Sequence, residues 1–110
     1  MESEMEINNE VFMAEEGQPE KWTLRLFVTG ASPNSVRAID NLTRICESHI
    51  KGRYDLEIID VYQDQQAAAM EQVIALPLLI KKFPIPERRL IGNMSDIPKV
   101  LKGLGLTNRA

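Results

Sequence analysis

The stretch Trp22–Pro33, which reads WTLRLFVTGASP, decides the fold. Apolar residues occupy every second position from Trp22 to Val28, a period of two that is typical of a β-strand. The run Thr29-Gly30-Ala31 then breaks the pattern, and Ser32 can cap a helix whose first residue is Pro33. The segment therefore predicts a strand over residues 22–29 that turns directly into a helix.

The residues that follow predict a strand–helix–strand unit. Apolar side chains recur at helical spacing from Val36 to Ile50, and Gly52 is expected to end the helix. Residues 56–61 then indicate a strand that is apolar on nearly both faces, which suits a central parallel strand. A right-handed crossover is expected to join the two strands.

The second half of the chain predicts four further elements. They are a short helix capped by Asp64 and ending near Val73, a strand over 75–80, a strand over 88–91 after the turn 84–86, and a helix over 96–104 capped by Ser95. The resulting order, β-α-β-α-β-β-α, is that of a thioredoxin-like α/β fold. Such a fold has a four-stranded mixed sheet with helices on both faces.

Charge divides the chain into two parts. Residues 1–20 contain seven glutamates and no lysine or arginine, whereas all 13 basic residues and the other nine of the 16 acidic residues follow. We predict a flexible acidic tail over residues 1–21 and one domain over 22–110. The tail could fold back over the mildly basic domain or remain solvated.

Composition excludes several classes of protein. Apolar residues make up 44% and charged residues 26%, an ordinary balance for a globular domain. No apolar run approaches the roughly 20 residues that cross a bilayer, and the acidic N-terminus does not resemble a signal peptide. With a single cysteine, these features predict a cytoplasmic protein that does not interact with a membrane.

The start of the first helix decides whether the chain is a redox enzyme. A thioredoxin-like enzyme carries its reactive thiol there, because a helix N-terminus lowers a thiol pKa. This chain has Ser32-Pro33-Asn34-Ser35 at that place, and its one cysteine, Cys46, falls on the apolar stripe of the helix. We therefore predict a non-enzymatic protein, with a redox protein that has lost or altered its active-site cysteines as the alternative.

Cofactors and nucleic acids are not expected to bind. His49 and Cys46 are the single histidine and the single cysteine, so a zinc site would lack a second histidine or cysteine among its usual ligands. The basic cluster Lys81, Lys82, Arg88 and Arg89 carries no interleaved aromatic residue except Phe83, which disfavours nucleic acid. The cluster either contacts an acidic protein surface or is a solvated strand edge whose charges deter aggregation.

Four motifs resemble those of the KaiB family, in unbroken order over residues 22–106. The first is the strand and Gly-x-x-Pro-Asn-Ser-x-x-Ala turn within Leu24–Ala38, and the second is the strand Tyr54–Val61. The third is the Ala-x-Pro-x-Leu segment within Ile74–Leu79. The fourth, within Pro84–Ser95, combines a Pro-x-Pro turn with an Arg-x-Ile-Gly run. The chain departs from the family at Asn93, where the family has an acidic residue, and in its acidic tail.

The resemblance implies how the protein acts. KaiB proteins are non-enzymatic, bind the KaiC ATPase ring, and recruit or sequester KaiA. The resemblance thus implies a KaiC-like ATPase as partner, a KaiA-like or signalling protein as a second one, and a role in timing or stress signalling. It also implies fold switching, in which a homodimer or homotetramer has a ground-state fold with a rearranged C-terminal half.

Two groups of residues are the candidates for these roles. The positive charges of the first group would steer the protein toward an acidic partner surface. The partner-binding candidates are Arg25, Lys51, Lys81, Lys82, Arg88 and Arg89. The candidates for the conformational switch are Pro77, Gly92 and Asn93.

Overall fold

The computed structural model describes residues 21–106, so all of the predicted tail except Lys21 lies outside the described residues. Seven elements lie within this range, in the predicted order. They are β1 (Trp22–Val28), α1 (Pro33–His49), β2 (Tyr54–Asp60), α2 (Gln65–Met70), β3 (Leu78–Phe83), β4 (Arg88–Ile91) and α3 (Ile97–Leu104). The thioredoxin-like fold class is thus confirmed.

The four strands form one mixed sheet in the order β2-β1-β3-β4. Strand β1 is parallel to β2, with Trp22 opposite Tyr54, and antiparallel to β3, with Phe27 opposite Leu78. Strand β4 is antiparallel to β3. The expectation that the second strand is central is wrong: β3 pairs with the far side of β1, which leaves β2 at an edge with Ile59 as its one buried residue.

Side chains alternate across β1, and each face of the sheet has its own core. The larger core lies under α1 and α3 and includes Leu24 and Leu26, which are fully buried. The smaller core lies under α2 and includes Phe27 and Ile80. Strand β1 is therefore covered on both faces, although α2 itself has no buried residue.

Local capping sets where the helices begin and end. Ser32 caps α1 as predicted, and its hydroxyl accepts from the Ser35 amide. Helix α1 ends at His49, before Gly52, because the Ile50 amide closes the last turn on the Cys46 carbonyl. Asp96, and not Ser95, caps α3 through a 3.2 Å bond from the Lys99 amide.

The predicted boundaries around α2 and β3 also shift. Helix α2 ends at Met70, three residues before the predicted end at Val73, and β3 begins at Leu78 rather than at Ala75. Gln72, with φ of 55°, turns the chain out of the helix. The peptide bonds before Pro77, Pro84 and Pro86 are cis.

A buried hydrogen bond joins the first strand to the last helix. The Trp22 indole Nε1 donates to the Leu104 carbonyl over 2.8 Å, and the Arg53 guanidinium lies 5.4 Å from the centre of the same ring system. The start of β1 and the C-terminus of α3 therefore lie at the same end of the domain. Trp22 is the single tryptophan of the chain, so its fluorescence reports on this contact.

Candidate partner-binding site

Three hydroxyl side chains close the turn between β1 and α1. The Ser32 hydroxyl donates to the Ser35 hydroxyl over 2.8 Å, and Thr29 Oγ1 lies 3.2 Å from the Ser32 oxygen. Ser35 is fully buried and accepts from the Thr29 amide at 3.0 Å. The position where a redox enzyme would carry its thiol is thus part of a local hydrogen-bond network.

The one cysteine of the chain lies further along α1, away from this turn and among the buried residues of the helix. Cys46 is fully buried in the larger core. Burial, with a smaller effect from the charge of Glu47, raises the pKa of the Cys46 thiol to about 12. Since the thiolate is the nucleophile, this side chain stays protonated and unreactive at neutral pH.

Alternation along the hairpin of β3 and β4 separates the predicted basic cluster. Lys82 and Arg89 lie on the face covered by α2, together with Arg25 of β1. Lys81, which is opposite Arg88 in the register, lies on the other face. Lys81 is only 4% exposed, and its Nζ is 3.9 Å from where a Cβ on Gly105 would be. Contrary to the prediction, Lys81 is not an exposed docking side chain.

Three cations from three strands converge on one carboxylate. Glu71 follows α2 and accepts from Arg25 Nη1 at 2.9 Å, from Lys82 Nζ at 3.2 Å and from Arg89 Nη2 at 3.3 Å. Its side chain is 14% exposed, far less than those of its partners. This Glu71 cluster links the end of α2 to β1, β3 and β4.

Electrostatics in the Glu71 cluster favour the charged forms. Desolvation alone would raise the pKa of Glu71, but the hydrogen bonds and charges of Lys82 and Arg25 outweigh it and lower the pKa below its usual value. The hydrogen bond to Glu71 likewise raises the pKa of Lys82. Exposed Glu57 and Glu87 pair with the outer sides of Arg25, Lys82 and Arg89. Much of the predicted positive charge is thus neutralised within the domain.

Two of the predicted docking cations have no such partner. Lys51, after α1, and Arg88, at the start of β4, are exposed. Neither forms an ion pair with any residue in the range 21–106. They are therefore the members of the predicted set that can pair with an acidic surface without breaking an internal contact.

The three predicted switch residues are brought together where β3 begins and β4 ends. The Gly92 amide donates to the Pro77 carbonyl over 3.0 Å, which extends the hairpin ladder by one bond. Gly92 has φ of 124°, a region that strongly favours glycine. The carbonyl of Asn93 accepts from Asn41 of α1 at 2.9 Å, and its side chain accepts from the Ser95 amide.

The structure also shows an apolar surface that the sequence did not indicate. Around α2, Tyr62, Met70 and Ile74 are 72%, 76% and 93% exposed. Tyr62 lines a cavity of about 310 Å³ whose other walls are mainly apolar side chains. No regular periodicity over residues 63–80 marks this surface, so no pattern in the sequence could have located it.

The described range contains neither a metal-binding cluster nor a membrane-spanning helix. Residues 21–106 hold no group of three His, Cys, Asp or Glu side chains placed to bind a metal ion. Among the described helices, none has the length and apolar character that crossing a bilayer requires.

Fold and site together define a thioredoxin-fold protein with serine in place of the reactive thiol. The KaiB domain model matches residues 25–106. The circadian clock oscillator protein KaiB of Picosynechococcus sp. is 47% identical over 85 residues, which are 77% of this chain and 82% of that protein. The corresponding KaiB of Synechococcus elongatus is 46% identical, over 77% of this chain and 83% of the relative. The chain belongs to the KaiB family.

Solved structures agree on the fold. The N-terminal domain of Synechococcus elongatus SasA superposes with a TM-score of 0.68 at 16% identity, over 97% of this chain and 98% of that domain. The Drosophila thioredoxin Deadhead has a TM-score of 0.63 at 11% identity, over 83% and 88% of the two chains. At these identities the likeness concerns the fold.

We predict that the Cys46 thiol does not react in the folded protein. Ellman's reagent added at pH 8 should leave it unmodified, because a thiol with a pKa near 12 is almost fully protonated and is also inaccessible. In 6 M guanidinium chloride the same chain should release one equivalent of thionitrobenzoate. If the reagent modified Cys46 in the folded protein at a rate within about tenfold of the rate in the unfolded chain, the buried position would be contradicted.

We predict that Glu71 stabilises the fold in a pH-dependent way. Glu71→Gln should lower the free energy of unfolding at pH 7 by about 1–2 kcal/mol, because it weakens three charge-assisted hydrogen bonds. Glu87→Gln is the matched control: its carboxylate touches two of the same cations but is 43% exposed, so a change under about 0.5 kcal/mol is expected. Urea unfolding followed by Trp22 fluorescence measures both.

The sign of the pH effect follows from the direction of the shift. A carboxyl whose pKa is lowered in the folded state stabilises above its ordinary pKa of 4.5, and the effect is lost as pH falls through the folded value. The gap between wild type and Glu71→Gln should therefore shrink below pH 4.5. A gap that stays constant with pH would show that the charge of Glu71 is not the cause.

Proposed function

We propose that this chain is a non-enzymatic clock-type regulator that acts by binding a KaiC-type ATPase, in timing or in stress signalling. The observation that carries the proposal is the match of the KaiB domain to residues 25–106, which is nearly all of the described domain. The relatives bear the name of circadian clock oscillator proteins. A KaiA-like or signalling protein is the proposed second partner, and the cytoplasm the proposed location.

The turn before α1 supports action without catalysis. Its Ser32 and Ser35 hydroxyls are bonded to each other and to Thr29, and the one thiol is buried in the core. Neither group is placed to attack a substrate. Binding through the surface is the mode of action that these residues leave to the domain.

The proposed contact surface is the cationic hairpin with the neighbouring end of α1. Arg88 and Lys51 are its directly contacting residues, since both are exposed and have no ion pair within residues 21–106. Arg25, Lys82 and Arg89 are part of this surface as members of the Glu71 cluster, in which each is already paired with a carboxylate. Charges of this kind raise the association rate with an acidic partner and set its orientation.

Arg88→Glu should weaken binding to a KaiC-type ATPase about tenfold and make it less sensitive to salt, because a rim cation becomes an anion. Arg37→Glu is the matched control: it makes the same change in net charge on an exposed residue near the start of α1, at the opposite end of the sheet. Calorimetric titration of the purified ATPase measures both. Equal losses for the two variants would refute this surface, and no binding by the wild type would refute the proposed function.

A conformational switch with an oligomeric ground state is part of the proposal. Gly92→Ala should destabilise the thioredoxin-like arrangement by about 1–3 kcal/mol, because alanine at φ of 124° is strained. If a rearranged form lies within a few kcal/mol, sedimentation should then show more dimer or tetramer. Ser95→Ala, at an exposed neighbouring residue, is the control. Lower stability without any change in sedimentation would count against the switch.

A further inference from the structure

Cations gather at the end of the domain where β1 begins. The Trp22–Leu104 hydrogen bond places the C-terminus of α3 there, and the pairing of Trp22 with Tyr54 places the end of α1 there. Strand β4 also begins at this end. The cations at this end that form no ion pair with any residue between 21 and 106 are Lys51, Arg53, Arg88 and Lys102.

The opposite end of the domain carries charges of both signs. Asp60 ends β2, Asp64 caps α2 and Asp96 caps α3. None of the three forms an ion pair with another residue of the described range. The exposed cations Arg37, near the start of α1, and Lys99, in the first turn of α3, also lie at this end, and neither forms an ion pair within residues 21–106. The end where residues 1–20 join the domain is therefore the more positive of the two.

Exposed apolar side chains accompany these cations. Phe83 is opposite Thr23 in the register and is 44% exposed, and Ile85 in the following turn is 78% exposed. Glu87 lies beside them as well, but it is paired with Lys82 and Arg89. Large exposed apolar side chains beside cations that have no such partner suit a ligand that has both an apolar run and negative charge.

The chain itself contains such a ligand. In the acidic segment, the run Val11-Phe12-Met13-Ala14 is flanked by Glu10 on one side and by Glu15-Glu16 on the other. Seven residues separate Ala14 from Trp22, and at about 3.3–3.6 Å per residue they span up to about 25 Å. Adjacent strands are about 4.8 Å apart, so Phe83 is well within this reach.

We propose that residues 10–16 dock on the cationic end of their own domain. The apolar run contacts Phe83 and Ile85, and the flanking glutamates pair with Arg88 and Lys51. The short connection gives the segment an effective concentration in the millimolar range, so weak contacts suffice. The docked segment then competes with an acidic partner for Arg88 and Lys51. This effect on partner binding rests on the proposed function, whereas the docking itself does not.

Paramagnetic relaxation tests the docking without any partner. The full chain with Asn9→Cys takes a nitroxide at position 9, since the buried Cys46 is not labelled. Amide signals of Lys51, Phe83, Ile85 and Arg88 should broaden, and those of residues 60–64 should not. The broadening should disappear near 1 M salt, where the Debye length falls to about 3 Å.

Matched variants identify the cause of any broadening. Glu10→Gln, Glu15→Gln and Glu16→Gln combined should remove it, because the flanking charges are gone while the apolar run stays. Uniform broadening, or none, would overturn the proposal. So would broadening that also appears when nitroxide-labelled chains without ¹⁵N are mixed with unlabelled ¹⁵N chains, because the segment would then dock on a second copy.

Titration with a KaiC-type ATPase tests the competition. If the segment covers the site in about nine of ten molecules, the triple glutamine variant should bind about tenfold more tightly. Equal affinities would overturn the competition. If no variant binds the ATPase but the broadening is present, the docking stands and the proposed function fails. If the ATPase binds and the broadening is absent, the docking fails and the proposed function stands.

Discussion

Everything in this domain depends on a central strand that must be covered on both faces. Strand β1 presents Leu24 and Leu26 to one side and Phe27 to the other, and all three are fully buried. Helices α1 and α3 cover the first face with long apolar stripes. The second face has only the six-residue helix α2, which has no buried residue of its own. Glu71 compensates for this weak cover, because it joins the end of α2 to three strands through charge-assisted hydrogen bonds.

That constraint also explains why the basic residues of the hairpin differ in role. With a period of two, neighbouring lysines and arginines must point to opposite faces. Lys82 and Arg89 therefore meet Glu71, whereas Lys81 is buried on the α3 side. Of the four cations of the hairpin, Lys82 and Arg89 thus form ion pairs inside the domain, Lys81 is buried, and Arg88 is exposed. Net charge alone says little about which of them a partner can reach.

The fold could be predicted from the sequence because its signals are local. The alternation of β1, the Ser32 cap with Pro33, and the glycines and prolines of the second half mark every element. The edge position of β2 could not be predicted, since an apolar run looks the same at an edge and at the centre of a sheet. The burial of Lys81 and the convergence on Glu71 depend on pairing between distant strands. Apart from Lys81, which is buried, the partner-binding candidates and the three switch candidates remain predictions as to role, although the structure places Pro77, Gly92 and Asn93 side by side.

The same geometry separates binding from catalysis. In a thioredoxin-like enzyme the first helix presents a thiolate at its N-terminus. Here the hydroxyls of Ser32 and Ser35 are hydrogen-bonded to each other and to Thr29, which stabilises the turn. The one thiol of the chain, Cys46, lies about three turns further along the helix, in the core, with its pKa raised by burial. The surface of the described domain presents exposed apolar side chains around α2 and exposed cations beside the start of β1. In the docking proposed above, the glutamates of the acidic segment cover these cations, and access to them then depends on this segment as well as on the domain.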